Sequence, residues 1–176
     1  FIDLSETDID KQIQINLLGP LRVLHHSARM IPAGGSIVNI VSMAGILPLG
    51  DSTVYTAGKF GLRGFGNSLS LELRERGVRI SGIYPSGVDT PMLRMEARSG
   101  GSPLNFVSDP LSPEQVADTA IRAIAEGKLE YYLPYGDGVL SRIAGSLPWI
   151  LPRLLPMFLK KGVEGHKRYL EKIGVE

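Results

Sequence analysis

A short, almost unbroken apolar run constrains this chain more than any other feature. Residues 36–41 read Ser-Ile-Val-Asn-Ile-Val, with Gly34-Gly35 before them and Ser42-Met43-Ala44-Gly45 after them. A strand with so little polar alternation is one covered on both faces, the condition of a parallel sheet between helices. The flanks supply those helices. Ile9, Ile13, Leu17, Leu21 and Leu24 form a helical stripe upstream, and Leu62, Phe65, Leu69 and Leu73 form another downstream. Further strands are expected at 78–84 and 129–134. Helices alternating with strands predict an α/β fold with three parallel strands.

Capping residues set the boundaries. Ser5-Glu6-Thr7-Asp8 opens the first helix, which is expected to run to about Met30. Within it, Pro20 lacks the amide that would bond to the carbonyl of Asn16, so the ladder should open there. Asp51 or Ser52 is expected to cap the next helix, which Gly77 ends. Ser112-Pro113-Glu114-Gln115 has the cap, first-position proline and third-position glutamine of a helix start, and that helix should end near Gly127. Residues 91–112 hold Pro91, Gly100, Gly101, Pro103 and Pro110 with weak periodicity, and are expected to be a lid or flexible segment. Their apolar residues, Met92, Leu93, Met95, Leu104, Phe106 and Val107, suit a pocket cover and ordinary core packing equally well.

The chemistry gathers at three side chains. Ser42 puts a hydroxyl at the C-terminal end of a strand, where open α/β sheets place their ligands. Tyr55 and Lys59 follow near a helix start, and positions i and i+4 share a helix face. A free phenol has a pKa of about 10, and a nearby ammonium favours the phenolate and lowers it. A hydroxyl such as that of Ser42 can donate to a substrate oxygen on which charge develops. Together they could reduce a carbonyl or oxidise an alcohol, given a hydride carrier. A Tyr-x-x-x-Lys pair alone is common on helices and says little. Its neighbours give it weight: the strand before Ser42, the continuation Phe60-Gly61-Leu62-Arg63-Gly64-Phe65, and a second strand running into Pro85-Ser86-Gly87-Val88-Asp89-Thr90.

With these motifs in this order, residues 1 to about 135 resemble the short-chain dehydrogenase/reductase family. The resemblance implies the catalytic, C-terminal part of a doubly wound Rossmann sheet over 1–135, with 136–176 an apolar helical extension of the same domain. It implies a catalytic tetrad of Asn16, Ser42, Tyr55 and Lys59, in which the Asn16 carbonyl lies in a kinked helix and holds a water linked to Lys59. Tyr55 and Lys59 would also touch the cofactor, Lys59 through the nicotinamide ribose. The loop Pro85, Ser86, Gly87, Val88 and Thr90 matches a Pro-Gly-x-Val-x-Thr pattern that closes over the nicotinamide carboxamide, with Ser86 where glycine is usual. By that match the Val88 backbone bonds the carboxamide and Thr90 holds the same end. As local chemistry alone, Pro-Ser-Gly is only a turn.

The resemblance further implies NAD or NADP as cofactor, a small-molecule alcohol or ketone as substrate, and a homo-oligomer, dimer or tetramer, through helices 5–30 and 52–76. The family's Gly-rich pyrophosphate turn and its Asn-Asn-Ala-Gly segment do not occur in this sequence. The expectation is therefore that the first half of the sheet lies outside it and that the segment alone is inactive. The side of strand 36–42 that the absent strands would pair with is an edge that invites aggregation. The residue that selects NAD or NADP would lie in the absent half as well. The competing reading is a non-catalytic dinucleotide-binding or interaction protein of the same fold.

Composition removes other classes. The 176 residues suffice for one domain with a real core. A net charge of +1 without a basic run argues against nucleic acid as a partner. The lack of cysteine excludes disulfide and thiol chemistry and fits a reducing, cytoplasmic location. His25 and His26 are adjacent, face different directions and have no partner at ligand spacing, so no metal site is expected. Residues 139–159 are strongly apolar, but Arg142, Arg153 and the prolines Pro148, Pro152 and Pro156 make a poor spanning helix. Packing over the substrate pocket or against another subunit is favoured there over contact with a membrane surface.

Overall fold

The computed structural model describes residues 1–174, and it has the expected α/β architecture. Strands β1 (Ser36–Ile40), β2 (Arg79–Pro85) and β3 (Glu130–Leu133) form one parallel sheet in the order β1-β2-β3. Ile40 lies opposite Ile83, and Gly82 opposite Glu130. The central strand is buried from Ile80 to Pro85, which explains its apolar sequence. Backbone bonds continue past the strand ends: Val41 N–H donates to the Ile83 carbonyl at 2.8 Å, and Ser86 N–H to the Leu133 carbonyl at 2.8 Å. Parallel pairing thereby brings Ser42 and the 85–90 segment to one edge of the sheet.

Helices α1 (Glu6–Ile13), α2 (Gly19–Ser27) and α3 (Thr53–Leu73) cover one face, and α5 (Pro113–Glu126) covers the other. On the first face Leu62, Phe65 and Leu17 pack against Val41 and Tyr84, while Leu24, Leu69 and Leu73 pack against Ile37 and Ile80. On the second, Val116, Ala120 and Ala123 meet Ile83 and Leu111. Each fully buried aliphatic side chain of this kind contributes roughly 1.5–3 kcal/mol.

The stop signals act as their chemistry requires. The Ser5 hydroxyl accepts from Asp8 N–H at 3.1 Å, and Ser112 with Gln115 completes a capping box. Gly77 takes φ 67°, a left-handed turn that glycine adopts without strain. The first helix is opened as Pro20 demands. Gln14–Leu18 forms a π-turn, with Gly19 N–H bonded to the Gln14 carbonyl, so the wider register accommodates the missing amide. The cap expected of Asp51 or Ser52 is not made: Ser52 occupies the capping position without a side-chain bond, and Asp51 adopts φ 61°.

The 91–112 segment is more ordered than its sequence suggests. It contains α4 (Pro91–Arg98) and a 3-10 turn at Pro103–Phe106. Thr90 Oγ1 accepts from Leu93 N–H at 3.3 Å, and Pro91 fills the first helical position. The helix buries Leu93 and Ala97 on one face, and its Thr-Pro start is a helix signal. The tail forms α6 (Tyr135–Ser146) and α7 (Leu151–Lys172). Pro156 lies inside α7, and among the described residues no helix is long and apolar enough to cross a membrane. A Cβ on Gly162 or Gly165 would collide with the carbonyls of Pro103 and Phe106, so α7 lies directly on that turn. Gly145 of α6 approaches the Ile46 carbonyl in the same way, which sets α6 over the turn that follows Ser42.

Candidate active site

Ser42 ends β1 and turns the chain into a short 3-10 segment, its hydroxyl accepting from Ala44 N–H at 3.1 Å. α3 presents Tyr55 beside Ser42 and Lys59 one turn further on. Both Tyr55 and Lys59 are half-buried. Burial pushes the Tyr55 phenol above its ordinary value, the Ser42 hydroxyl works against that, and the Glu96 carboxylate raises it further. Burial pulls the Lys59 ammonium down. The lowering of Tyr55 expected from Lys59 is not what this geometry gives. Lys59 Nζ lies over the ring, 5.5 Å from its centroid, and donates to the Ile40 carbonyl at 3.4 Å. It is Ser42 that favours the phenolate.

Asn16 reaches the same neighbourhood through its backbone. A Cβ on Gly58 would lie 3.0 Å from Asn16 Cβ, and one on Gly61 would lie 3.0 Å from the Leu17 methyls. These glycines let the π-turn press onto α3 one residue from Lys59. The Asn16 amide folds back and donates to the Gln12 carbonyl at 3.1 Å, so what it can offer the site is its main chain. His25 and His26 are exposed, and no group of three metal-ligating side chains occurs among the described residues.

The segment after β2 is tightly held. Asp89 N–H donates to the Leu111 carbonyl and Leu111 N–H to the Gly87 carbonyl, both at 2.8 Å, which makes Val88 a parallel bridge partner of Leu111. A residue bracketed in this way turns its own N–H and C=O to the opposite side. The Ser86 hydroxyl is buried without a partner among the described residues. Thr90, expected at the cofactor, spends its hydroxyl on capping α4.

Two groups here escaped the sequence reading. Glu96, in the supposed lid, is close enough to oppose a Tyr55 phenolate. Asp89 is gripped by Arg94 at 2.7 and 3.1 Å and by the Tyr169 hydroxyl at 2.6 Å. Arg94 and then Tyr169 hold the Asp89 carboxyl down at about 2, against an ordinary 3.8. A depressed folded value makes the stabilisation complete above about pH 4 and progressively lost as the pH falls toward 2. The wild-type unfolding midpoint should therefore drop more steeply over that window than that of Asp89→Asn. Parallel acid limbs in thermal melts would show that the clasp contributes nothing.

A family model for short chain dehydrogenases matches residues 1–99, more than half of the chain. The chain belongs to the short chain dehydrogenase family. It is 27% identical over 172 residues to the short-chain dehydrogenase RED1 of Pyricularia oryzae, covering 88% of this chain and 58% of that protein. It is 30% identical over 135 residues to an uncharacterized short-chain type dehydrogenase/reductase of Sinorhizobium fredii, covering 73% of this chain and 24% of that one. The chain thus spans well under two thirds of the length of these relatives. Among solved structures, a short chain dehydrogenase from Burkholderia cenocepacia in complex with NADP superposes with a TM-score of 0.65 at 22% identity, covering 75% of this chain and 57% of that one. That likeness establishes the fold.

Proposed function

We propose that this chain carries the catalytic residues of an NAD- or NADP-dependent oxidoreductase that interconverts an alcohol and a carbonyl. The observation that carries the reading is the placement of Ser42 beside Tyr55, with Lys59 one turn on, at the strand edge shared with the 85–90 segment. The segment fits a nicotinamide carboxamide, since Val88 turns its N–H and C=O away from Leu111 and the buried Ser86 hydroxyl lacks a partner. Relatives support the cofactor class: one of Mycobacterium tuberculosis is named an NAD-dependent oxidoreductase, and the Burkholderia structure holds NADP.

A bound nicotinamide would supply or accept the hydride. The chain's own residues manage the proton and the charge. In reduction, Tyr55 gives its phenolic proton to the carbonyl oxygen, and in oxidation it takes that proton back. Ser42 donates to the same oxygen as charge develops there, and a preplaced donor of this kind is worth about 2.7–4 kcal/mol. Lys59 lies over the Tyr55 ring and would hold the ribose of a bound cofactor. The Asn16 carbonyl supports a water that reloads the proton. An apolar substrate suits the exposed Met92 and Met95 of α4. We read 1–135 and 136–176 as parts of one domain, since α6 and α7 pack on Ile46 and Phe106. Exposed Ile15, Val23 and Leu71 on α3 and the helices before it suit a homo-oligomer contact. A cytoplasmic location rests on cysteine content alone.

The test is a titration of the full-length protein with NADH and NADPH, followed by a panel of ketones and alcohols. Binding of one cofactor with turnover is expected. Binding without turnover across the panel would favour the non-catalytic reading, and binding of neither would overturn both.

A further inference from the structure

We infer that Tyr169 of α7 is a positioning residue that acts through Asp89 to fix the backbone of Val88 where the nicotinamide end of the cofactor docks. The inference rests on the functional reading above. Tyr169 is 3% exposed and stands 80 residues from Asp89 in sequence, yet its hydroxyl donates to Asp89 Oδ1 at 2.6 Å. Arg94 forks onto both carboxylate oxygens, sharing Oδ1 with Tyr169, and the Asp89 amide is committed to the Leu111 carbonyl. Asp89 is thus held at its main chain and at both oxygens. On the far side of Val88, the Gly87 carbonyl accepts from Leu111, and any Cβ on Gly87 would collide with the Asn105 carbonyl. Both peptide groups that flank Val88 are therefore fixed, one of them through Tyr169.

The same face of α7 holds the rest of the loop's surroundings. Phe106 stacks on His166 at 4.6 Å between ring centroids and tilts against Tyr169 at 5.1 Å. His166 Nε2 bonds the Ala97 carbonyl of α4 at 2.9 Å. One helix face thereby sets the cofactor loop, the end of α4 and the 103–106 turn relative to one another. The ring of Tyr169 packs, while its hydroxyl reaches the loop. A phenylalanine would keep the packing and lose the tether, which makes the two separable.

The experiment compares wild type, Tyr169→Phe, Asp89→Asn and the double variant in the full-length protein. NAD(P)H and ADP-ribose are titrated against each, and amide hydrogen exchange of residues 86–93 is measured without ligand. ADP-ribose lacks the nicotinamide, so it reports the remainder of the site. We expect Tyr169→Phe to weaken NAD(P)H by about 5- to 20-fold, with ADP-ribose changed less than about twofold. The double variant should be no worse than Asp89→Asn, because residues acting in series do not add. Exchange at 86–93 should quicken in Tyr169→Phe. An unchanged ratio of NAD(P)H to ADP-ribose affinity, or unchanged exchange over 86–93, would overturn the inference. If wild type gains nothing from the nicotinamide, the functional reading fails instead, and the exchange result still decides whether the tether exists.

Discussion

Tyr55→Phe should lower turnover by about 10²- to 10⁴-fold while leaving cofactor affinity within about twofold. The substitution removes one oxygen from a half-buried ring, and Lys59 still covers the ring face, so the side proposed to hold the ribose is undisturbed. What disappears is the phenolic proton beside Ser42. The pH dependence follows from the raised Tyr55 value. A phenol whose pKa lies above its ordinary value stays protonated through neutrality, so reduction has its acid there and fails only as the pH rises through that value. Oxidation needs the phenolate and should grow over the same range. Ser42→Ala removes the neighbour that favours the phenolate, so it should move both limbs to higher pH as well as slow the reaction. Single-turnover rates in both directions across pH test this. A Tyr55→Phe enzyme with more than about a tenth of wild-type turnover would remove Tyr55 from the mechanism.

Features written in local periodicity were readable before any coordinates. The apolar run before Ser42 gave a parallel strand, but not the burial on both faces that it suggested: in β1 only Ile37 is buried and Ile40 is 47% exposed. Pro20 announced the opened ladder, although whether it would become a kink or a π-turn depends on how Gly58 and Gly61 admit Asn16 and Leu17. α4 escaped although its Thr90-Pro91 start and its buried Leu93 and Ala97 were signals, because the glycines and prolines that follow at 100–110 made the whole segment look irregular. The Asp89–Tyr169 tether has no sequence signal, since a contact across 80 residues is set by how α7 lands on the 103–106 turn. Lys59 misled in a different way. Spacing correctly put it on the Tyr55 face, but i and i+4 fixes a shared face and leaves open whether the ammonium meets the ring or the phenolic oxygen.

The largest stability effect should come from Glu130, at the start of β3, whose side chain is 9% exposed. Arg63 of α3 reaches it at 2.8 and 3.4 Å, Arg142 of α6 at 3.2 Å and the Tyr84 hydroxyl at 3.2 Å, and the Tyr132 hydroxyl also donates to it. Burial pushes the carboxyl up, but Arg63, Tyr132 and Arg142 together hold it below its ordinary value. Glu130→Ala would leave a mostly buried guanidinium and two phenols without their acceptor, at a cost of about 3–5 kcal/mol. Arg142 is 58% exposed, so its own removal should cost about 1 kcal/mol or less. Replacing Arg63 and Glu130 together by Met and Leu should recover only the part of the loss that comes from the stranded guanidinium, because the Tyr84 and Tyr132 hydroxyls still lack their acceptor. Urea midpoints of the three variants separate these cases, and a Glu130→Ala loss below about 1 kcal/mol would mean that water already satisfies the cluster. The consequence reaches the chemistry. Arg63 lies two turns beyond Tyr55 on α3, so the ion pair joins the helix that carries Tyr55 to β3.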